Sequence, residues 1–131
     1  MTTNIPASHL DLLENNDLVI LSTIGAKGEP QTTALWFVFI DGQVKMSIND
    51  ARQKLKNLRQ NPHASAFFLD PKNPGRTLEL RGTVVIEPDP DYVFAKAVKQ
   101  KYDFDVAQLD QPGQTRSWVT LHADKVISYG Q

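Results

Sequence analysis

The sequence contains no cysteine, which excludes disulfide staples, a thiolate nucleophile and the sulfur-rich zinc sites. Redox chemistry in such a chain would need a borrowed cofactor. No apolar run approaches the roughly 18 residues needed to cross a bilayer as a helix. The opening stretch MTTNIPASHL has neither the basic segment nor the apolar segment of a secretory signal. These absences lead to the expectation of a cytoplasmic protein without a membrane partner. Histidine is scarce, and His9, His63 and His122 show no i, i+4 spacing that would place two of them on one helix face for a metal. No metal site is expected. Also missing are a G-x-S-x-G elbow and a phosphate-cradling glycine loop. The pair Asp103 and Asp105 lies in a polar stretch where solvent exposure explains it without acid–base work. An excess of one charge is lacking too: the net charge of −1 argues against a general nucleic-acid binder, which needs clustered cations to neutralise phosphates.

What is present suits one folded domain spanning residues 1–131, with 40% hydrophobic and 22% charged residues in ordinary globular proportion. The charge is unevenly distributed. Between Gln43 and Val85, eight cations (Lys45, Arg52, Lys54, Lys56, Arg59, Lys72, Arg76, Arg81) face three acids (Asp50, Asp70, Glu79), and from Ile86 to Asp110 six acids face three lysines. A basic middle in a nearly neutral chain suits a small anionic ligand better than a polymer.

Along the chain, Ser8 and Asp11 resemble a capping box opening a short helix to about Asn15. Leu18 to Ile24 reads as a strand entering a Gly-rich turn. Gln31 to Ile40 reads as one long strand that hardly alternates after Thr33, which implies cover on both faces. A partner chain is the expected cover, ahead of a packed helix. Asp41-Gly42 signals a hairpin into a strand from Gln43 to Ile48. Asn49 or Asp50 can cap a helix to about Gln60, with Ala51, Leu55 and Leu58 on one face. Ala64 to Leu69 and the cleanly alternating Arg76 to Ile86 are strands, separated by a loop at Asp70 to Gly75. Asp89-Pro90 opens a helix to Tyr102, Asp103 to Thr115 is a surface loop, and Arg116 to His122 and Lys125 to Tyr129 close the chain as strands. About six strands and two or three helices with short connections predict an α+β, mainly β, antiparallel barrel.

One segment stands out chemically. Met46 to Leu58 runs from a strand end into a helix start, where unpaired amides and the positive end of the helix dipole face outward. Arg52 and Lys54 are placed by this reading in the first turn. Cations there are mildly unfavourable, so either a bound anion offsets the repulsion or the side chains simply face water.

The residues Leu21-Ser22-Thr23-Ile24 through Gly28-Glu29-Pro30, Gln31 to Phe37, Arg52-x-Lys54-x-x-Asn57-Leu58, Asn61-Pro62-x-Ala64, Asp70-Pro71-x-Asn73-Pro74, Glu79 to Thr83 and Val119-Thr120-Leu121-x-x-x-Lys125-Val126, taken as an ordered set, resemble the pyridoxamine 5′-phosphate-oxidase-like split-barrel flavoproteins. Within them the chain resembles the deazaflavin-dependent oxidoreductases. The resemblance implies an antiparallel split β-barrel and a homodimer with its sites at the subunit interface. It further implies that Arg52 and Lys54 take the cofactor phosphate, that Ser47 and Ile48 line the ribityl chain, and that Gln31, Thr32, Thr33 and Ala34 border the ring. Trp36 would lie near the ring or the substrate space, and Asn57 belongs to the same set of cofactor contacts. No side chain is cast as catalytic. True pyridoxamine phosphate oxidases resemble one another in adjacent Arg-Lys phosphate ligands and a C-terminal Arg-containing segment, whereas this chain has Arg-x-Lys and ends at Gly130-Gln131. The implied cofactor is coenzyme F420, with FMN as the alternative. The implied reaction is hydride transfer to a small electron-poor molecule. The alternatives are an FMN-dependent reductase or oxidase, and a non-catalytic flavin, F420 or haem binding protein.

Overall fold

The computed structural model describes residues 4–131. Strand β1 (Val19–Ile24) alternates, with Val19, Leu21 and Thr23 buried, as β-branched and apolar residues at period two dictate. It pairs with β2 (Pro30–Leu35). Asp41 and Gly42 both have positive φ, 56° and 74°, the twist-matched hairpin geometry that a D-G pair supplies. They join β3 (Val38–Ile40) to β4 (Gln43–Asn49). Strands β5 (His63–Asp70), β6 (Asn73–Pro88) and β7 (Arg116–Tyr129) complete one antiparallel sheet in the order β2-β1-β5-β6-β7-β4-β3.

That order forces closure. The two edge strands, β2 and β3, are neighbours in sequence, with only Trp36 and Phe37 between them. Three Cα steps span at most about 11 Å, whereas seven flat strands would put the edges about 29 Å apart. The sheet must therefore curl until its edges meet at Trp36-Phe37, and since no ladder joins β2 to β3 among the described residues, the barrel is split there. The split barrel expected from the sequence is the fold observed.

Inside lies the main core, including Leu21, Phe37, Met46, Phe68, Leu78 and Val119. Helix α2 (Gln53–Gln60) plugs it with Leu55 and Leu58. A register shift between Arg81 and Gly82 bends β6 against β7. A Cβ on Gly82 would lie 2.0 Å from the His122 carbonyl oxygen, so only glycine allows that approach.

Several expectations are corrected. The Gln31 to Ile40 strand breaks at Trp36-Phe37, and the two final strands are one, giving seven strands among the described residues. The capping box does not form: Ser8 Oγ bonds the His9 ring 2.8 Å away, and Asp11 is held by Arg76. Helix α1 is only Asp11–Glu14. The Asp70 to Gly75 loop shrinks to a turn because β6 begins at Asn73. Helix α3 is Lys96–Tyr102 rather than a helix from Asp89; the Asp89 carboxylate instead accepts from the amides of Phe94 and Ala95 at 3.1 and 3.0 Å. The stretch from Asp103 contains a 3-10 turn, Val106–Leu109, with Val106 buried. Most consequentially, the second face of Val38 and Ile40 is covered by this chain itself. Those residues, Trp36 and Trp118 pack with Ala95, Val98, Tyr102, Phe104 and Val106 in a second apolar cluster, a long-range arrangement that periodicity does not reveal.

Candidate functional site

Arg52 is the N-cap residue of α2, with extended backbone and no capping hydrogen bond from its side chain, and Lys54 sits in the first turn. The helix thus starts later than the sequence suggests. Asn49 closes the preceding turn by accepting from Ala51 N at 2.8 Å. Asp50 is engaged by Arg59, Thr115 and Ser117. The consequence is electrostatic. Four of the five arginines are ion-paired, Arg59 to Asp50, Arg76 to Asp11 and Asp70, Arg81 to Glu79 and Arg116 to Asp110. Among the described residues, Arg52 has no such partner. Lys54 is half-buried beside it, and burial first and the Arg52 charge second hold its ammonium below the usual lysine range. An anion between the two would oppose both effects by favouring the charged ammonium.

The remaining expected residues divide by face. Thr23 and Gln31 are opposite one another in the β1–β2 ladder, and both meet Asn57, whose Nδ2 donates to Thr23 Oγ1 at 3.0 Å and to Gln31 Oε1 at 3.2 Å. Asn57 Oδ1 accepts from Gln53 at 2.9 Å. Asn57 and Gln31 are therefore the tie between α2 and the barrel. Ile48 points into the main core, so only its backbone is available to a ligand. Thr32 hydrogen-bonds Ser22 at 3.0 Å on the outer face. Thr33 and Ser47 carry buried hydroxyls without a hydrogen-bond partner, the kind of orphan that a bound polar molecule satisfies.

Ala34, Trp36 and Ser47 come together in a cavity of ≈ 280 Å³, with Leu18, Leu35, Val98, Val106, Leu109 and Arg116 as its other walls. Trp36 is fixed there by stacking on Tyr102, with ring centroids 4.4 Å apart, and by an edge contact with Phe104 at 5.6 Å. Sequence reasoning missed the far wall. Val98 belongs to a helix to which no role was assigned, and Val106 and Leu109 to a stretch without periodicity read as a surface loop. It also missed the buried pair beneath. Arg116 donates to both Asp110 oxygens, at 3.0 and 2.6 Å, and to the Ser47 carbonyl at 3.1 Å. Asp110 also accepts from Asn49 at 2.8 Å and Tyr92 at 2.9 Å. Burial pushes the Asp110 carboxyl up, but the bonds from Arg116, Asn49 and Tyr92 outweigh it and hold it below the usual carboxylate range. A separate cavity, lined by Ser22, His63, Ser65, Arg81 and Asp124 among others, contains none of the expected site residues.

The pyridoxamine 5′-phosphate oxidase family model matches residues 5–129. The chain belongs to that family. No curated protein matches it in sequence. Among solved structures it is similar to an F420 reductase, with 29% identity and a TM-score of 0.80 over 94% of this chain and 98% of the other. A conserved hypothetical protein from Mycobacterium tuberculosis matches at 25% identity and a TM-score of 0.79, over 98% of this chain and 86% of the other. The heme storage protein HutZ from Vibrio cholerae matches at 13% identity and a TM-score of 0.78, over 98% and 96%; at that identity the likeness speaks for the fold alone. No helix among the described residues is long and apolar enough to cross a membrane.

Proposed function

We propose that this family member is an oxidoreductase that binds a flavin-type cofactor, coenzyme F420 in preference to FMN, by its phosphate at the start of α2, and passes hydride to a small electron-poor organic molecule. The observation that carries the reading is the pair Arg52 and Lys54, unpaired and adjacent where the other four arginines are neutralised. The residues present fit such a cofactor. Two cations can grip a phosphate, arginine through two parallel bonds and lysine as a point charge, and the buried Thr33 hydroxyl offers a donor to the polar chain that follows. The 29% identity to an F420 reductase favours F420 over FMN.

When bound, a deazaflavin supplies the hydride chemistry. This chain's own residues anchor, orient and exclude water. Arg52 and Lys54 fix one end of the cofactor, and Gln31 to Ala34 provide the strand along which the ring lies, held in register with α2 by Asn57. The apolar walls around Trp36 keep water from the reacting face. We further propose a homodimer, in which a second copy covers the outer face of β1, β2 and β5.

Calorimetric titration with F420 and FMN tests the reading. Removing one charged hydrogen bond to phosphate costs about 1.5–3 kcal/mol, so Arg52→Ala and Lys54→Ala are expected to weaken F420 binding roughly ten- to one-hundred-fold. Lys56, exposed on the same helix, is the charge-matched control and should change affinity little. Arg59 is a poorer control, because its removal strips Asp50 of a partner. Tighter binding of FMN than F420 would transfer the site to FMN. Equal small losses in Arg52→Ala, Lys54→Ala and Lys56→Ala, or no binding of either cofactor, would overturn the reading.

A further inference from the structure

We propose that the cavity around Trp36 selects a neutral, mainly apolar ligand, because Asp110 neutralises the one charged side chain in its wall. The inference deepens the reading above by naming the class of hydride acceptor, and it rests on that reading only for the ligand's role as acceptor. Of the residues lining the cavity, Leu18, Ala34, Leu35, Trp36, Val98, Val106 and Leu109 are apolar, Ser47 is polar, and Arg116 alone is charged. Arg116 is not available to an anion. Its side chain is 6% exposed and that of Asp110 2%, and its guanidinium faces both oxygens of Asp110 and the Ser47 carbonyl. Asp110 is in turn fixed by Asn49 and Tyr92.

An anionic ligand would have to enter an apolar space with no free cation, and burying an uncompensated charge is strongly unfavourable. A neutral ligand meets no such barrier. The cavity volume, ≈ 280 Å³, falls just under the range of about 300–1,000 Å³ for small-molecule sites, which suits a single-ring molecule. The partnerless Ser47 hydroxyl can donate one hydrogen bond to a carbonyl oxygen on it. The phosphate-bearing vitamer in the family's name is the opposite kind of molecule, and its phosphate would find no free cation in this wall.

Three probes of one skeleton separate the possibilities: benzylideneacetone (neutral, with a carbonyl), trans-cinnamate (anionic) and trans-β-methylstyrene (no acceptor). The chain has no cysteine to add to the enone. Binding is measured calorimetrically, first to the cofactor-free protein and then to protein saturated with F420. Benzylideneacetone is expected to bind in both states, and cinnamate at least about one-hundred-fold more weakly. Ser47→Ala should weaken the ketone about two- to tenfold and leave the hydrocarbon unchanged. Asp110→Asn, which leaves Arg116 charged, should admit cinnamate. If that variant fails to fold, the double variant Asp110→Asn with Arg116→Met keeps the wall uncharged and must keep rejecting cinnamate. The proposal is overturned if cinnamate binds wild type as well as the ketone does, if no probe binds, if F420 competes with the ketone, or if a folded Asp110→Asn still rejects cinnamate. A protein that binds the ketone but neither F420 nor FMN would overturn the cofactor reading and leave the cavity's selectivity standing.

Discussion

Asp110 and Arg116 differ from the other ion pairs of the chain in what surrounds them. Arg81 and Glu79 lie 2.8 Å apart with the arginine side chain 52% exposed, so water and entropy cancel most of their attraction. Asp110 and Arg116 are both sealed from water, and losing one leaves the other as a buried, unpaired charge. Urea unfolding should therefore show Asp110→Ala destabilised by about 3–5 kcal/mol and Arg81→Ala by no more than about 1 kcal/mol. A loss at Asp110 as small as that at Arg81 would mean that water reaches the pair. The pH dependence follows in sign from the lowered Asp110 carboxyl. A carboxylate whose folded pKa lies below its unfolded value stabilises the fold above the unfolded pKa, and that contribution is lost as pH falls through the folded one. Wild type should thus lose stability below about pH 4. Asp110→Asn, with no carboxylate to protonate, should show a shallower acid slope in the same titration.

Helix α2 shows how far an element can be read in advance. Its apolar spacing gave Leu55 and Leu58 a common face, and both plug the barrel. Its start was misplaced because Asn49 and Asp50, good capping residues by type, are engaged elsewhere, by Asp110 and Gln114 in the one case and by Arg59, Thr115 and Ser117 in the other. What orients the helix is Asn57, buried and bonded to Gln53, Thr23 and Gln31. Asn57→Ala leaves buried partners unsatisfied and is expected to cost about 1–3 kcal/mol, with a loss of cofactor affinity that follows the loosened helix. Thermal melts and F420 titration on the same variant check this. Weakened binding with an unchanged melting temperature would instead make Asn57 a direct contact.

For the whole molecule, the question is which surface remains for a second copy. The argument from an unalternating strand does not survive at Trp36 to Ile40, where α3 and the Val106–Leu109 turn provide the cover. A different surface, the outer face of β1, β2 and β5, is the one proposed for a second copy. There Ala34 is exposed and Ile20 and Phe67, its neighbours across the ladders, are half-buried. Leu18 at the β1 entrance is 47% exposed. Light scattering at micromolar concentration should give the mass of a dimer, and Ala34→Glu, a charge set on that face, should shift it toward monomer. A wild-type monomer throughout would remove the dimer. By itself the sequence determined the strands that alternate, the Asp41-Gly42 hairpin and the cation pair at a helix start, because each depends on neighbours a few residues away. Tertiary structure alone decided the break at Trp36-Phe37, the second apolar cluster and the Asp110–Arg116 lock. Barrel closure brings β2 against β3 and lays residues 89–115 over the sheet, and whether a charge is buried or a strand covered depends on residues far away in sequence, which local pattern cannot reveal.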